Sequence, residues 1–254
     1  MSFYFSEKTW EEIGEAINQN AVIILPVGTT EEHGSHLPVG TDAMIAKYIG
    51  DKIGAACETI NLPVLLMETI NYGFSMSAVR KWPGCPNIPT RVFMDYIYNI
   101  ISSLIEMGFK KIVALDCHGN HDCLLRTVMR EIADIYDIFI MTLSPFALCA
   151  GTYNKIKKDP EGDIHGGEFE TSMILSIRPE LVKQDKYTDA DKITCNNILR
   201  GPVSTWGLQE TKTGLYGDPT HASRDTGDAC IDAIIKESVK YITAFYNHNN
   251  HNNG

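Results

Sequence analysis

The chain has 254 residues, 44% hydrophobic and 21% charged, a globular balance with enough length for a sizeable core. With 32 acidic and 22 basic residues its formal net charge is −10. Such a surface repels phosphate backbones and argues against a nucleic-acid partner, while leaving small-molecule substrates open.

The opening stretch MSFYFSEKTWEE lacks the basic and apolar regions of a signal peptide. Segment 9–19 reads as a helix with Thr9 at its N-cap. The Val/Ile-rich run 21–26 reads as a buried strand that empties into EEHGSHLPVGTD, residues 31–42. A helix follows over 42–57, with Asp42 near its N-cap and Met44, Ile45, Tyr48, Ile49 and Ile53 as its apolar stripe. Residues 62–68 form a second strand. The stretch 71–90 is Gly-, Pro- and Ser-rich, and a loop of that length inside a domain is usually functional. Helix 90–107, strand 111–117, a turn at 118–121, helix 122–135 and strand 137–145 continue the alternation. Residues 166–176 look helical and stop before Pro179, 183–224 reads as irregular, and 225–246 as a long last helix. The Asn/His-rich tail, 247–254, is expected to be disordered.

Strands alternating with helices predict an α/β fold, a three-layer α/β/α sandwich around a mainly parallel sheet. No Pro/Ser-rich linker or composition break divides the chain, so a single domain over 1–246 is expected. No apolar run is long enough to span a membrane. The seven cysteines are scattered without a CxxC pair, which suits free thiols in a reducing cytoplasm better than a disulfide framework.

Chemistry-bearing residues gather where strands end, and sites in such folds form beyond the carboxyl ends of the strands. Glu31, His33 and Asp42 offer carboxylate and imidazole donors that suit Zn²⁺, Mn²⁺ or Fe²⁺, without the thiolates of a structural zinc site. The competing reading is a polar loop in which Asp42 caps a helix. His36 is a weaker candidate. In DCHGNHD, residues 116–122, His118 is either a ligand or a turn-closing histidine. Cys117 beside it is no ready dyad partner, because neighbours on a strand face opposite ways. In DIHGGEFETS, residues 163–172, Glu168 and Glu170 cannot share one helix face, so one of them points at the site and the other elsewhere. His165 is placed to act as general acid/base or to cap local structure. The stretch 214–229 reads as structural or as a subunit contact.

Taken together, LPVGTTEEHGSHLPVGTD, DCHGNH, HGGEFETS and YGDPTHAS resemble the creatininase (creatinine amidohydrolase) family, in the same order over about residues 20–230. The resemblance implies a two-metal hydrolase of cyclic amides and related substrates, holding Zn²⁺ and/or Mn²⁺, with Fe²⁺ also accepted. It implies Glu31, His33, Asp42 and His118 as ligands, with Asp42 bridging, and His165 as the catalytic histidine. Creatininase itself has a glutamate where this chain has Asn120. It also has valine where this chain has Glu168, and a tryptophan that helps enclose the substrate where this chain has Gly162. Glu168 is therefore expected as the fifth ligand and a participant in the reaction, and creatinine is not the expected substrate. Trp82, Gly119, Asn120 and Gly166 are the expected substrate contacts, and loop 71–90 lies over the substrate or forms a subunit contact. Relatives of the HGGE type imply a formamide, a diketo-inositol or a peptide as alternatives, and the family implies a homohexamer or another homo-oligomer.

Overall fold

Strand β1 (Val22–Val27) is buried along its whole length, because it lies inside a parallel sheet covered on both faces. The computed structural model describes residues 2–159, 165–187 and 211–248. Period-two alternation splits β1 between two cores. Val22 and Ile24 pack with α2 (Thr41–Thr59) and the later helices, while Ile23, Leu25 and Val27 pack with α3 (Thr90–Met107) and α4 (Asp122–Tyr136). Pro26 costs the ladder nothing. Its carbonyl accepts from Ile70 on the side of β2 (Val64–Leu66), so its missing N–H faces an edge where β2 has already ended.

The sheet runs β2-β1-β3-β4, all parallel, with β3 at Lys111–Asp116 and β4 at Phe139–Leu143. From β1 the chain crosses through α2 to β2 on one side. It then returns through α3 to β3 and goes on through α4 to β4 on the other. Reversing direction while keeping right-handed crossovers puts α2 on one face and α3 and α4 on the opposite face, with α1 (Trp10–Asn18). The switch point falls between the carboxyl ends of β1 and β3, where such folds place ligands. The expected three-layer architecture is therefore present.

Several boundaries differ from expectation. Thr9 caps α1 in a full capping box with Glu12, as its sequence pattern requires. Strand β2 covers three residues rather than 62–68, since only Val64, Leu65 and Leu66 find ladder partners on β1. Asp42 is not a cap: Gly40 takes that position and Asp42 is the second helical residue. A helix over Pro145–Ile156, α5, was not anticipated, and Pro145 starts it rather than ending β4. Helices α6 (Glu168–Ile177) and α7 (Arg224–Asn247) lie near their expected spans, with Ser223 capping α7. Within the expected irregular stretch 183–224, short 3₁₀ turns form at Gln184–Lys186 and Pro219–His221. Of the tail expected to be disordered, 247–254, Asn247 ends α7, while 249–254, like Gly162, lie outside the described residues. Among the described residues no helix is long and apolar enough to cross a membrane.

One glycine fixes where α2 starts. A Cβ on Gly28 would lie 2.7 Å from the Ala43 backbone, so only glycine lets the end of β1 meet the first turn of α2. Gly28→Ala should destabilise the fold by about 1–3 kcal/mol through overpacking. Gly14, inside α1, has nothing within 4 Å of its would-be Cβ. Gly14→Ala should stabilise by up to about 1 kcal/mol. Urea unfolding of the two variants checks the contrast, and equal midpoints would contradict it.

Candidate metal centre

The loop after β1 turns Glu31 and His33 into the crevice, and α2 brings Asp42 up beneath them. All three side chains are fully buried. The His33 ring is oriented by its own loop, with Nδ1 3.1 Å from the Glu31 carbonyl. A carbonyl only accepts, so Nδ1 carries a proton, and once the ring is neutral Nε2 presents its lone pair. That Nε2 lies 3.1 Å from Asp42 Oδ1 and 3.7 Å from Glu170 Oε2. His118 enters from the end of β3, its backbone N–H held by Asp116 Oδ1 at 3.2 Å. Its Nδ1 is 2.9 Å from Asp42 Oδ2, and its Nε2 is 3.7 Å from Glu31 Oε2. Each oxygen of Asp42 thus faces a different histidine.

These donors form three overlapping groups, each within 4.8 Å: Glu31, Asp42 and His118; His33, Asp42 and Glu170; and Glu31, His33 and His165. Both Glu31 carboxylate oxygens and His118 Nε2 are buried without a hydrogen-bond partner. Buried carboxylates left this way are costly unless a cation compensates them. Oxygen and imidazole donors without thiolate suit divalent Zn²⁺ or Mn²⁺. The residues present fit two such ions sharing Asp42.

The electrostatics agree. Burial pulls the His118 ring's pKa down, but the Glu31 and Asp42 carboxylates overcome it and hold it at about 9. Burial likewise opposes protonation of His33, yet Asp42 and Glu170 hold its pKa well above the ordinary imidazole value. Burial would raise Asp42, but the two rings hold it far below the usual carboxylate range. The site attracts positive charge strongly.

The expected fifth ligand is elsewhere. Glu168 is fully buried, and its carboxylate accepts the backbone N–H groups of Lys158 (2.9 Å) and Asp159 (2.8 Å). It pins the chain after α5 instead of joining the ligand group. Glu170, two residues on and so turned to another helix face, points at His33, and its Oε2 is steadied by the Gly166 N–H at 2.6 Å. His165 belongs to the third donor group, its ring 4.4 Å from that of His33. Its Nε2 is 2.6 Å from the Glu32 carbonyl and its Nδ1 3.6 Å from Glu31 Oε1.

The expected substrate contacts scatter. Gly119 has open space where a Cβ would stand, next to His118 and followed by Asn120 in a 3₁₀ turn. Gly166 is buried, with its amide committed to Glu170. Trp82 sits in loop 71–90 beneath Lys81 Nζ, 4.6 Å from its ring centre. That loop is tied to the floor of the site, since Phe74 N–H donates to His121 Nε2 at 3.0 Å and Glu32 N–H points at Cys85 Sγ at 3.1 Å. His36 bonds Thr171 Oγ1 at 2.8 Å and lies outside the ligand groups. Desolvation, with Asp116 and Asp42 nearby, keeps the Cys117 thiol protonated, which disqualifies it as a nucleophile. Glu170, which the sequence pairs with Glu168 as alternatives, and Glu32, which it does not single out, also line the crevice. The i, i+2 spacing signalled a choice for the first, and nothing local signalled the second.

The sequence pattern of the creatininase family, described as creatinine amidohydrolase, matches residues 6–242. The chain is 24% identical to a 3-dehydro-scyllo-inosose hydrolase of Thermotoga maritima, over 94% of this chain and 82% of that one. It is 25% identical to a creatinine amidohydrolase of Pseudomonas putida, over 92% and 94%. In three dimensions it superposes on a manganese form of creatininase with a TM-score of 0.82 and 23% identity, covering 98% of this chain and 100% of that one, which supports the fold.

Cations need unprotonated rings, so loading and protonation compete. His118 at about 9 stands above its unfolded value of about 6.5. In metal-free protein its contribution to stability is therefore full below about pH 6.5 and is lost as pH rises through about 9. The metal-free melting midpoint should fall across that window, and metal-loaded protein should not follow it. Calorimetry of Zn²⁺ binding at pH 7 in two buffers should find about two protons released per chain, one each from His33 and His118. No proton release would contradict this assignment.

Proposed function

Because the chain belongs to the creatininase family, whose members are metal-dependent hydrolases, we propose that it hydrolyses a C–N bond in a small cyclic amide or formamide, at a centre of two divalent cations. Glu31, Asp42 and His118 would hold one cation; His33, Asp42 and Glu170 would hold the other. Zn²⁺ and Mn²⁺ are the ions this donor set favours, with Fe²⁺ accepted. The observation that carries the reading is Asp42, buried with its two oxygens against two different imidazoles.

Bound there, the cations supply Lewis acidity that polarises a carbonyl and makes a water proton acidic. The chain's own residues do the rest. Glu31, Asp42 and Glu170 balance the cationic charge in a water-poor crevice. His33, held by the Glu31 carbonyl, keeps one lone pair aimed inward. His165 presents Nδ1 to the same space, takes a proton there and returns it to the leaving nitrogen. Gly119 leaves room beside His118 for the substrate, and loop 71–90, tied down at Phe74 and Cys85, closes over it.

A second reading follows from the inosose hydrolase relative: the same centre hydrolyses a C–C bond in a cyclic diketone such as a keto-inositol. A non-catalytic scaffold would bind metal without turnover. We infer a homo-oligomer, because Val92 and Tyr96, one turn apart on α3, are 55% and 48% exposed and are of the kind a second copy covers. A cytoplasmic setting suits the free thiols.

Elemental analysis of wild type, Glu170→Gln and Glu168→Gln tests the centre. About two ions per chain are expected in wild type and in Glu168→Gln, with clear loss in Glu170→Gln. Loss in Glu168→Gln alone would restore the ligand set expected from sequence. Turnover of cyclic amides, formamides or keto-inositols should stop on chelation and return with Zn²⁺ or Mn²⁺. Turnover that survives chelation would end the reading.

A further inference from the structure

Glu32 stands between two proposed ligands, Glu31 and His33, and its side chain lies against His165. Its carboxylate is 5% exposed. One oxygen, Oε2, accepts the Gly34 N–H at 2.8 Å. The other, Oε1, has no hydrogen-bond partner and lies 3.4 Å from His165 Nε2. Gly214, at φ +82°, packs against this carboxylate so closely that a Cβ there would overlap it. The main chain of the same residue meets the same ring atom, with the Glu32 carbonyl 2.6 Å from His165 Nε2. The carbonyl can only accept, so the His165 proton sits on Nε2 and the free nitrogen is Nδ1, on the side of Glu31.

We propose that Glu32 is the positioning residue of His165. Its carbonyl fixes the Nε2–H tautomer, and its carboxylate steadies the ring and supplies the counter-charge while the ring carries a second proton. In the reaction a water O–H bond breaks, its proton goes to Nδ1 and its oxygen bonds the carbonyl carbon. The C–N bond then breaks and the same proton passes to the leaving nitrogen, while Nε2–H stays in place throughout. A carboxylate behind a proton-carrying imidazole is the arrangement that orients and stabilises the histidine of hydrolytic triads. This inference rests on His165 being the proton carrier of the proposed hydrolase.

The test uses the full-length, zinc-loaded protein labelled with ¹⁵N-histidine. His165 resonances are identified by their absence in His165→Asn. Wild type should show Nε2 protonated, Nδ1 unprotonated and a persistent Nε2–H signal. Glu32→Gln should keep its zinc, broaden that signal and, on the C–N or keto-inositol substrate that wild type turns over, lower kcat by about 10- to 100-fold with little change in KM. Glu32→Asp, shorter but charged, should recover more kcat than the isosteric Glu32→Gln; a role in packing alone gives the opposite order. A wild-type ring protonated only on Nδ1 would overturn the proposal. So would a Glu32→Gln protein with unaltered signal and kcat, or one that loses its zinc. If wild type binds zinc and turns nothing over, the hydrolase reading fails, and the ring resonances alone decide the role of Glu32.

Discussion

The whole crevice depends on keeping one carboxylate, Asp42, buried between two imidazoles. An uncompensated charge there would cost several kcal/mol, so the surroundings have to supply partners from three directions. Pairing of Val27 with Asp116 sets β1 and β3 in register, so the loop after one and the turn after the other reach the same point. Gly28 lets α2 approach until its first turn sits under that point. The amino end of α2 carries partial positive charge that favours the anion before any cation arrives. Sheet register, a missing side chain and a helix dipole therefore converge on the same oxygen atoms.

Much of this was legible in the chain itself. Apolar runs that end at Pro-Gly and before His118 reveal strands emptying into ligand-rich loops, and the alternation with helices reveals the parallel sheet. What escaped was decided at long range. The choice between Glu168 and Glu170 turned on where residues 157–159 lie, because those backbone N–H groups capture whichever carboxylate faces them. Spacing along α6 announced a choice without making it. Helix α5 was hidden because Pro145 follows a strand directly and buries only Pro145, Cys149 and Tyr153, too sparse a stripe to announce a period. Asp42 read as a cap because acids often are, while Gly40 took that place without a side chain to advertise it.

Loop 71–90 closes on itself, with the Ile88 N–H on the Gly73 carbonyl and the Ser75 N–H on Asn87 Oδ1, and it is also tied to the strand ends. His121 accepts from Phe74 and stacks on Phe93 at 4.2 Å, and it stands three residues after His118. The turn that presents a proposed ligand therefore also anchors loop 71–90, with His121 as the joint between them.

Two successive main-chain carbonyls, those of Glu31 and Glu32, hold the rings of His33 and His165. Both rings are therefore oriented from one short stretch of main chain, and a shift in the path from Glu31 to Glu32 would turn the two imidazoles together.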